Sequence, residues 1–181
     1  MPGRIYIISI AVYAVSLILL YAASTTYHTF NRSEKINMFE KIDHMMTFIL
    51  IAGSYTPICL LVLKEKTGII LLSIVWGIAI LGIVLKAFWY FAPNGYLPIL
   101  YIGMGWTCVL AFTQILNSMS PAAFGWLLAG GIIYTIGGVI YALKLPLFNN
   151  RHKNFGSHEI FHIFVMLGSA CHFVVMYAFV L

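Results

Sequence analysis

Six apolar runs, each about 20 residues long, take up most of the chain, and none shows the strict alternation of a half-buried strand. A helix of that length crosses roughly 30 Å of hydrocarbon. Lipid offers no partner to a bare peptide group, so a spanning chain forms either helices or a closed barrel. Runs without period-two alternation select helices. Composition agrees: 62% of the 181 residues are hydrophobic and 8% are charged, against about 25% charged in an ordinary soluble domain. The predicted fold class is all-α, a polytopic transmembrane helix bundle forming a single domain over residues 1–181.

The spans are read as about Ile5–Tyr27, Ile42–Leu63, Gly68–Phe91, Leu97–Asn117, Ala122–Leu143 and Ser157–Leu181. Between them lie the breakers N-R-S-E-K-I-N, K-E-K-T-G, A-P-N-G-Y-L-P, S-M-S-P and L-P-L-F-N-N-R-H-K-N-F-G. The first span is too long for the apolar region of a signal peptide, and it ends in S-T-T-Y-H, which is no small-residue cleavage site. Cys59, Cys108 and Cys171 sit inside apolar runs without a C-x-x-C pairing, so they read as packing residues. Gly77, Gly82, Gly103, Gly105, Gly130, Gly131, Gly137 and Gly138 read as places where membrane helices approach closely. Trp89, Tyr90, Tyr96 and Tyr101 suit an interfacial belt.

The formal charge of +5 is scattered over loops and helix ends, which argues against a nucleic-acid partner and for an orientation signal. One side holds Arg32, Lys35, Lys41, Lys86, Lys144, Arg151 and Lys153; the other holds Arg4, Lys64 and Lys66. The richer side is expected to be cytoplasmic.

Ionisable side chains in such spans each need a reason. The first span ends with Ser24 and His28, four apart and on one helical face. The second opens with Asp43 and His44. The last opens with His158 and His162, again four apart, and carries His172 ten residues further in. Three of these helix ends lie on the same side of the membrane. His28, Asp43, His158 and His162 are therefore expected at similar depth, despite more than 100 intervening positions. Three imidazoles and a carboxylate match the ligand menu of a zinc site with one position left for water. His172 lies about 15 Å deeper than His162 and cannot join that shell.

Blander readings exist for each. His44 and His152 read as interfacial residues, and Asp43 as a cap on the positive end of the second span. The stretch H-E-I-F-H, His158 to His162, has the zinc-protease spacing, with Glu159 as the general base. Glu159 is rotated about 100° from His158. No second downstream motif supplies the third ligand; His28 would have to.

The blocks A-A-S-T-T-Y-H at 22–28, D-H-M-M-T-F-I-L-I-A-G-S-Y-T-P at 43–57, G-M-G-W at 103–106 and S-H-E-I-F-H-I-F-V-M-L-G-S-A-C-H-F at 157–173 together resemble the hemolysin III family. That family lies within the progestin and adipoQ receptor superfamily, which includes the adiponectin receptors. The resemblance implies a seven-helix membrane protein with zinc near its cytoplasmic side, held by His28, His158 and His162. It gives Asp43 the holding or activation of the zinc-bound water and sets Ser24 one turn from the first ligand. The related alkaline ceramidases use a similar Ser, Asp and His set on lipid amides. The adiponectin receptors carry Gln where Glu159 stands, which moves the weight of the motif onto its histidines. Six spans are counted where the resemblance implies seven; the further helix expected before the span that ends in S-T-T-Y-H is not seen.

The resulting expectation is a zinc-dependent hydrolase of a lipid amide or ester, in a multi-pass protein of the plasma membrane. Zinc would be the cofactor and membrane lipid the surrounding partner. The alternatives are a non-enzymatic membrane regulator with structural zinc and a cytolytic protein. Against the last, the sequence offers neither a secretion signal nor an amphipathic segment suited to refolding into a pore.

Overall fold

The computed structural model describes residues 2–29, 36–88, 96–143 and 156–180. The connections at 30–35, 89–95 and 144–155 lie outside the described residues. With them go Arg32, Lys35, Lys144, Arg151, Lys153, His152, Trp89 and Tyr90, as well as the side chains of Tyr96, Ser157 and His158. All described elements are helical: α1 (Pro2–Thr29), α2 (Ile36–Pro57), α3 (Glu65–Phe88), α4 (Tyr96–Gly105), α5 (Phe112–Ser118), α6 (Pro121–Leu143) and α7 (Ser157–Val175). Six helical stretches among the described residues are long and apolar enough to cross a membrane, as the run lengths predict.

Three boundaries differ from the sequence reading in ways that matter. α1 continues through Thr29, so His28 sits inside its last turn. α2 starts at Ile36, not near Ile42. Its opening turns mix Glu40 and Lys41 with Ile36, Met38 and Phe39, so a rule that looks for an unbroken apolar run starts the helix too late. The fourth span is not one α-helix. α4 passes at Trp106–Ala111 into a 3₁₀ helix before α5 resumes the α geometry. α2 also changes character at its end: Pro57, which has no N–H to give, is followed by a π-helical turn at Ile58–Val62.

The chain forms two compact units, Met1–Pro93 and Asn94–Leu181. In the first, α2 packs against both α1 and α3. The buried positions of α1 are Ser9, Tyr13, Ser16, Leu20 and Ser24, a stripe in steps of three and four. Its exposed residues include Ile7, Ile8, Val15 and Ile18. Small polar residues within and branched apolar residues without is the pattern expected where lipid, not water, bathes the outside. Ser16 satisfies its hydroxyl by donating to the carbonyl of Tyr13 at 2.7 Å, so it stays small and self-sufficient in the seam. Facing it, a Cβ on Gly53 would come within 2.6 Å of the Cβ of Ser16. On the other side of α2, Phe48 fills the hole at Gly82 of α3, and the Trp76 indole N–H donates to Thr56 Oγ1 at 3.2 Å.

In the second unit α6 takes the middle, with α4 and α7 both packed on it. Along α6 and α7 the contacts pair Gly130 with His172, Tyr134 with Gly168, Gly137 with Phe164 and Tyr141 with Phe161. Every step of three or four along α6 is matched by a step of three or four back along α7, which is the register of an antiparallel pair. A ring on one helix meets a glycine on the other in three of the four steps. On the α4 side, Ile102 packs on Gly138 and Trp106 Nε1 donates to Thr135 Oγ1 at 3.0 Å.

Candidate metal and catalytic site

Only six residues separate α1 from α2, too few to return along either helix, so the two run antiparallel. The Ser16–Gly53 contact sets their register. From that level Ser24 lies eight residues along α1, about 12 Å, and His28 about 18 Å. Asp43 lies ten residues back along α2, about 15 Å. The fold therefore sets Asp43 at a level between Ser24 and His28.

Asp43 is 1% exposed. Because α2 begins at Ile36, this carboxylate stands two turns inside the helix, and the N-terminal cap reading does not hold. Ser24 is buried beside it in level, while His28 is half-buried, with the Tyr27 ring edge-on to it at 5.0 Å between centroids. Thr47 donates to the Asp43 carbonyl at 3.2 Å, closing a polar turn within α2.

His44 departs from its sequence reading. The earlier helix start carries it inward, to 2% exposure, where an interfacial histidine was expected. Its Nδ1 lies 3.8 Å from Oε1 of Glu40, which is 41% exposed, so the pair links a buried imidazole to an open carboxylate one turn nearer the helix start. The E-x-x-x-H spacing was visible in the sequence, but its meaning depended on where α2 began.

The other two expected ligands belong to the second unit. His158 and His162 both fall in α7, an α-helix from Ser157, so their backbone positions are one turn apart on one face. The His162 ring is half-buried and lies 5.6 Å from the Phe161 ring. The His158 side chain lies outside the described residues. Among the described residues, no three His, Cys, Asp or Glu side chains gather as ligands of one ion.

Glu159 has a local task. Its Oε2 accepts a hydrogen bond of 2.7 Å from the backbone N–H of Gly156, the residue that precedes α7. This is the glutamate half of a capping box, and it satisfies a main-chain donor at the mouth of the helix. The H-E-x-x-H glutamate thus serves the helix start.

A sequence model of haemolysin-III-related proteins matches residues 4–173. The chain is 38% identical over 167 residues to the hemolysin-3 homolog of Bacillus subtilis (strain 168), a match covering 92% of this chain and 75% of that protein. It is 35% identical over 175 residues to hemolysin-3 of Bacillus cereus, covering 97% and 76%. It is also 28% identical over 188 residues to the adiponectin receptor protein of Drosophila melanogaster, covering 88% of this chain and 39% of that one.

Proposed function

This chain belongs to the haemolysin-III-related family, and from that membership and its polar residues we propose that it is a zinc-binding membrane protein that hydrolyses a lipid amide or ester at the cytoplasmic face of the plasma membrane. The observation that carries the reading is Asp43: a carboxylate 1% exposed, inside a membrane helix and level with a buried serine and a half-buried histidine. Such a group is costly in that setting and marks a functional site.

The donor set suits zinc. His28, His158 and His162 offer three imidazoles, which leaves one position for water or substrate. Zinc held by them would supply Lewis acidity toward the carbonyl and the attacking water. Asp43 takes the proton from the attacking water and delivers it to the amine or alcohol that leaves as the acyl C–N or C–O bond breaks. Ser24 hydrogen-bonds that carboxylate or the developing oxyanion. The Ile, Leu and Val surfaces of the helices accommodate the acyl chain.

The first test is metal content of the purified protein beside a His158→Ala/His162→Ala variant. About one zinc per chain in the parent and none in the variant is the expected result; no zinc in the parent overturns the reading. Asp43→Asn should then keep the metal and lose about 100-fold or more in turnover of a lipid amide or ester. Metal without turnover in the parent, with lower thermal stability once it is chelated, would instead favour a structural zinc in a membrane regulator. The names of the two Bacillus relatives bring in lysis as a third reading. Lysis of red cells by the parent, and not by the histidine variant, would move the function there.

A further inference from the structure

The α2–α3 seam opens at one end onto two lysines. Phe48 of α2 fills the hole at Gly82 of α3, and the Trp76 indole bonds to Thr56 further along. Six residues back along α3, from Gly82 to Trp76, match eight onward along α2, from Phe48 to Thr56, so the two helices run antiparallel. Lys41 lies seven residues before Phe48, two turns back on the same face of α2. Lys86 lies four residues after Gly82, one turn on and on the same face of α3. Both lysines therefore stand on the faces that the two helices turn toward each other, where the seam ends.

Beyond Lys66, Lys86 is the one charged residue that α3 carries. A lysine near the end of a span ordinarily turns outward to the headgroup layer. Lys86 instead lies on the face toward α2 and is half-buried. The charges that act on it are Glu40 and Lys41, one of each sign. Glu40 also faces the His44 imidazole at 3.8 Å, so its carboxylate is shared. Two ammonium groups held near each other repel, and leucine or methionine would continue the seam without that cost. The flanks are apolar: Met38, one turn before Lys41, and Ile80 of α3 are exposed, and Ile83 is half-buried. An occupant that suits this place brings an anion to the two lysines and hydrocarbon to the flanks. Free phosphate meets only the first requirement.

We propose that Lys41 and Lys86 form a binding site for the headgroup phosphate of an anionic phospholipid, whose acyl chains run along Ile83 and Ile80. Each ammonium donates to a phosphate oxygen, and the anion turns their mutual repulsion into attraction. The proposal is separate from the zinc reading, which uses neither lysine.

The test is thermal melting of the full chain in neutral detergent micelles, titrated with phosphatidylglycerol, phosphatidylcholine or inorganic phosphate. A bound lipid raises the melting temperature, and the titration gives its Kd. One lysine at a membrane surface contributes about fivefold to the binding of an anionic lipid. Phosphatidylglycerol should therefore bind at least about fivefold tighter than phosphatidylcholine, and inorganic phosphate should leave the melt unchanged. Lys86→Gln and Lys41→Gln should each weaken phosphatidylglycerol about fivefold. Lys86→Arg should keep the affinity, as should Lys66→Gln, which removes one charge at the opposite end of α3. Every variant is compared with its own lipid-free melt, so a change in stability alone does not register as a change in Kd. Equal binding of the two lipids would overturn the site. So would an equal loss in Lys66→Gln, which would mean diffuse charge attraction, or a full shift with inorganic phosphate, which would mean an anion site that does not read lipid.

Discussion

The middle helix of the first unit, α2, carries Asp43, His44, Thr47, Ser54 and Thr56 among its buried side chains, whereas the middle helix of the second, α6, buries Ala123 and the glycines at 130, 137 and 138. Each packs between other helices of its own unit, yet 61% of the apolar window of α2 is buried against 17% for α6. An enclosed helix can hold a carboxylate because the surrounding protein supplies partners for it. A helix open to lipid on one side is better served by small residues, which let its neighbours' rings approach the backbone. The buried carboxylate accordingly lies in the first unit and the seam of interlocking rings in the second.

The largest loss is expected from filling a hole in the second seam. Gly130→Leu drives carbon into the His172 ring and should cost about 3 kcal/mol. Gly131→Leu, one residue away and facing open space, should be close to neutral in the same denaturant or thermal titration. Equal losses would mean that helix flexibility, not the seam, sets the stability of α6. A smaller effect is expected at the helix mouth: Glu159→Ala removes the acceptor for the Gly156 N–H and should cost about 1 kcal/mol. If the parent carries the proposed zinc, this variant should carry as much; a loss confined to the variant would return the glutamate to that proposed site. Tyr134→Phe deletes the hydroxyl bond to Ser169 across α6 and α7 and should cost about 0.6 kcal/mol, the usual scale for such bonds in membranes. Ser16→Ala should be smallest, a few tenths, because that hydroxyl bonds to its own helix. A loss at Ser16 as large as at Tyr134 would mean that the serine stripe of α1 ties helices together.

The six spans were legible because lipid imposes a length and an apolarity that run-counting detects directly. Ser24, His28, His158 and His162 were placed on the right helices for the same reason: a spacing of four needs only a helix to have meaning. The depth of His44 was not legible. It depended on the turn from Ile36 to Lys41, where charged and apolar residues mix and the apolar-run rule gives no signal. The glycines of α6 were visible as small residues, but their partners in α7 were not, since a pairing of Gly130 with His172 is a property of register. Glu159 illustrates a motif that fits two chemistries; only the Gly156 N–H bond at 2.7 Å distinguishes its structural use.

The 3₁₀ stretch in the fourth span has a rotational consequence. An α-helix advances about 100° per residue and a 3₁₀ helix about 120°. Between Trp106 and Phe112 an uninterrupted α-helix would leave the two side chains about 120° apart, and one of them would point away from α6. With 3₁₀ geometry over those six residues the two come back into phase. Trp106 duly bonds to Thr135 of α6, and Phe112 meets Phe124 of the same helix at 5.7 Å. The tightened segment acts as a phase corrector, keeping one neighbour in view along the span without a supercoil.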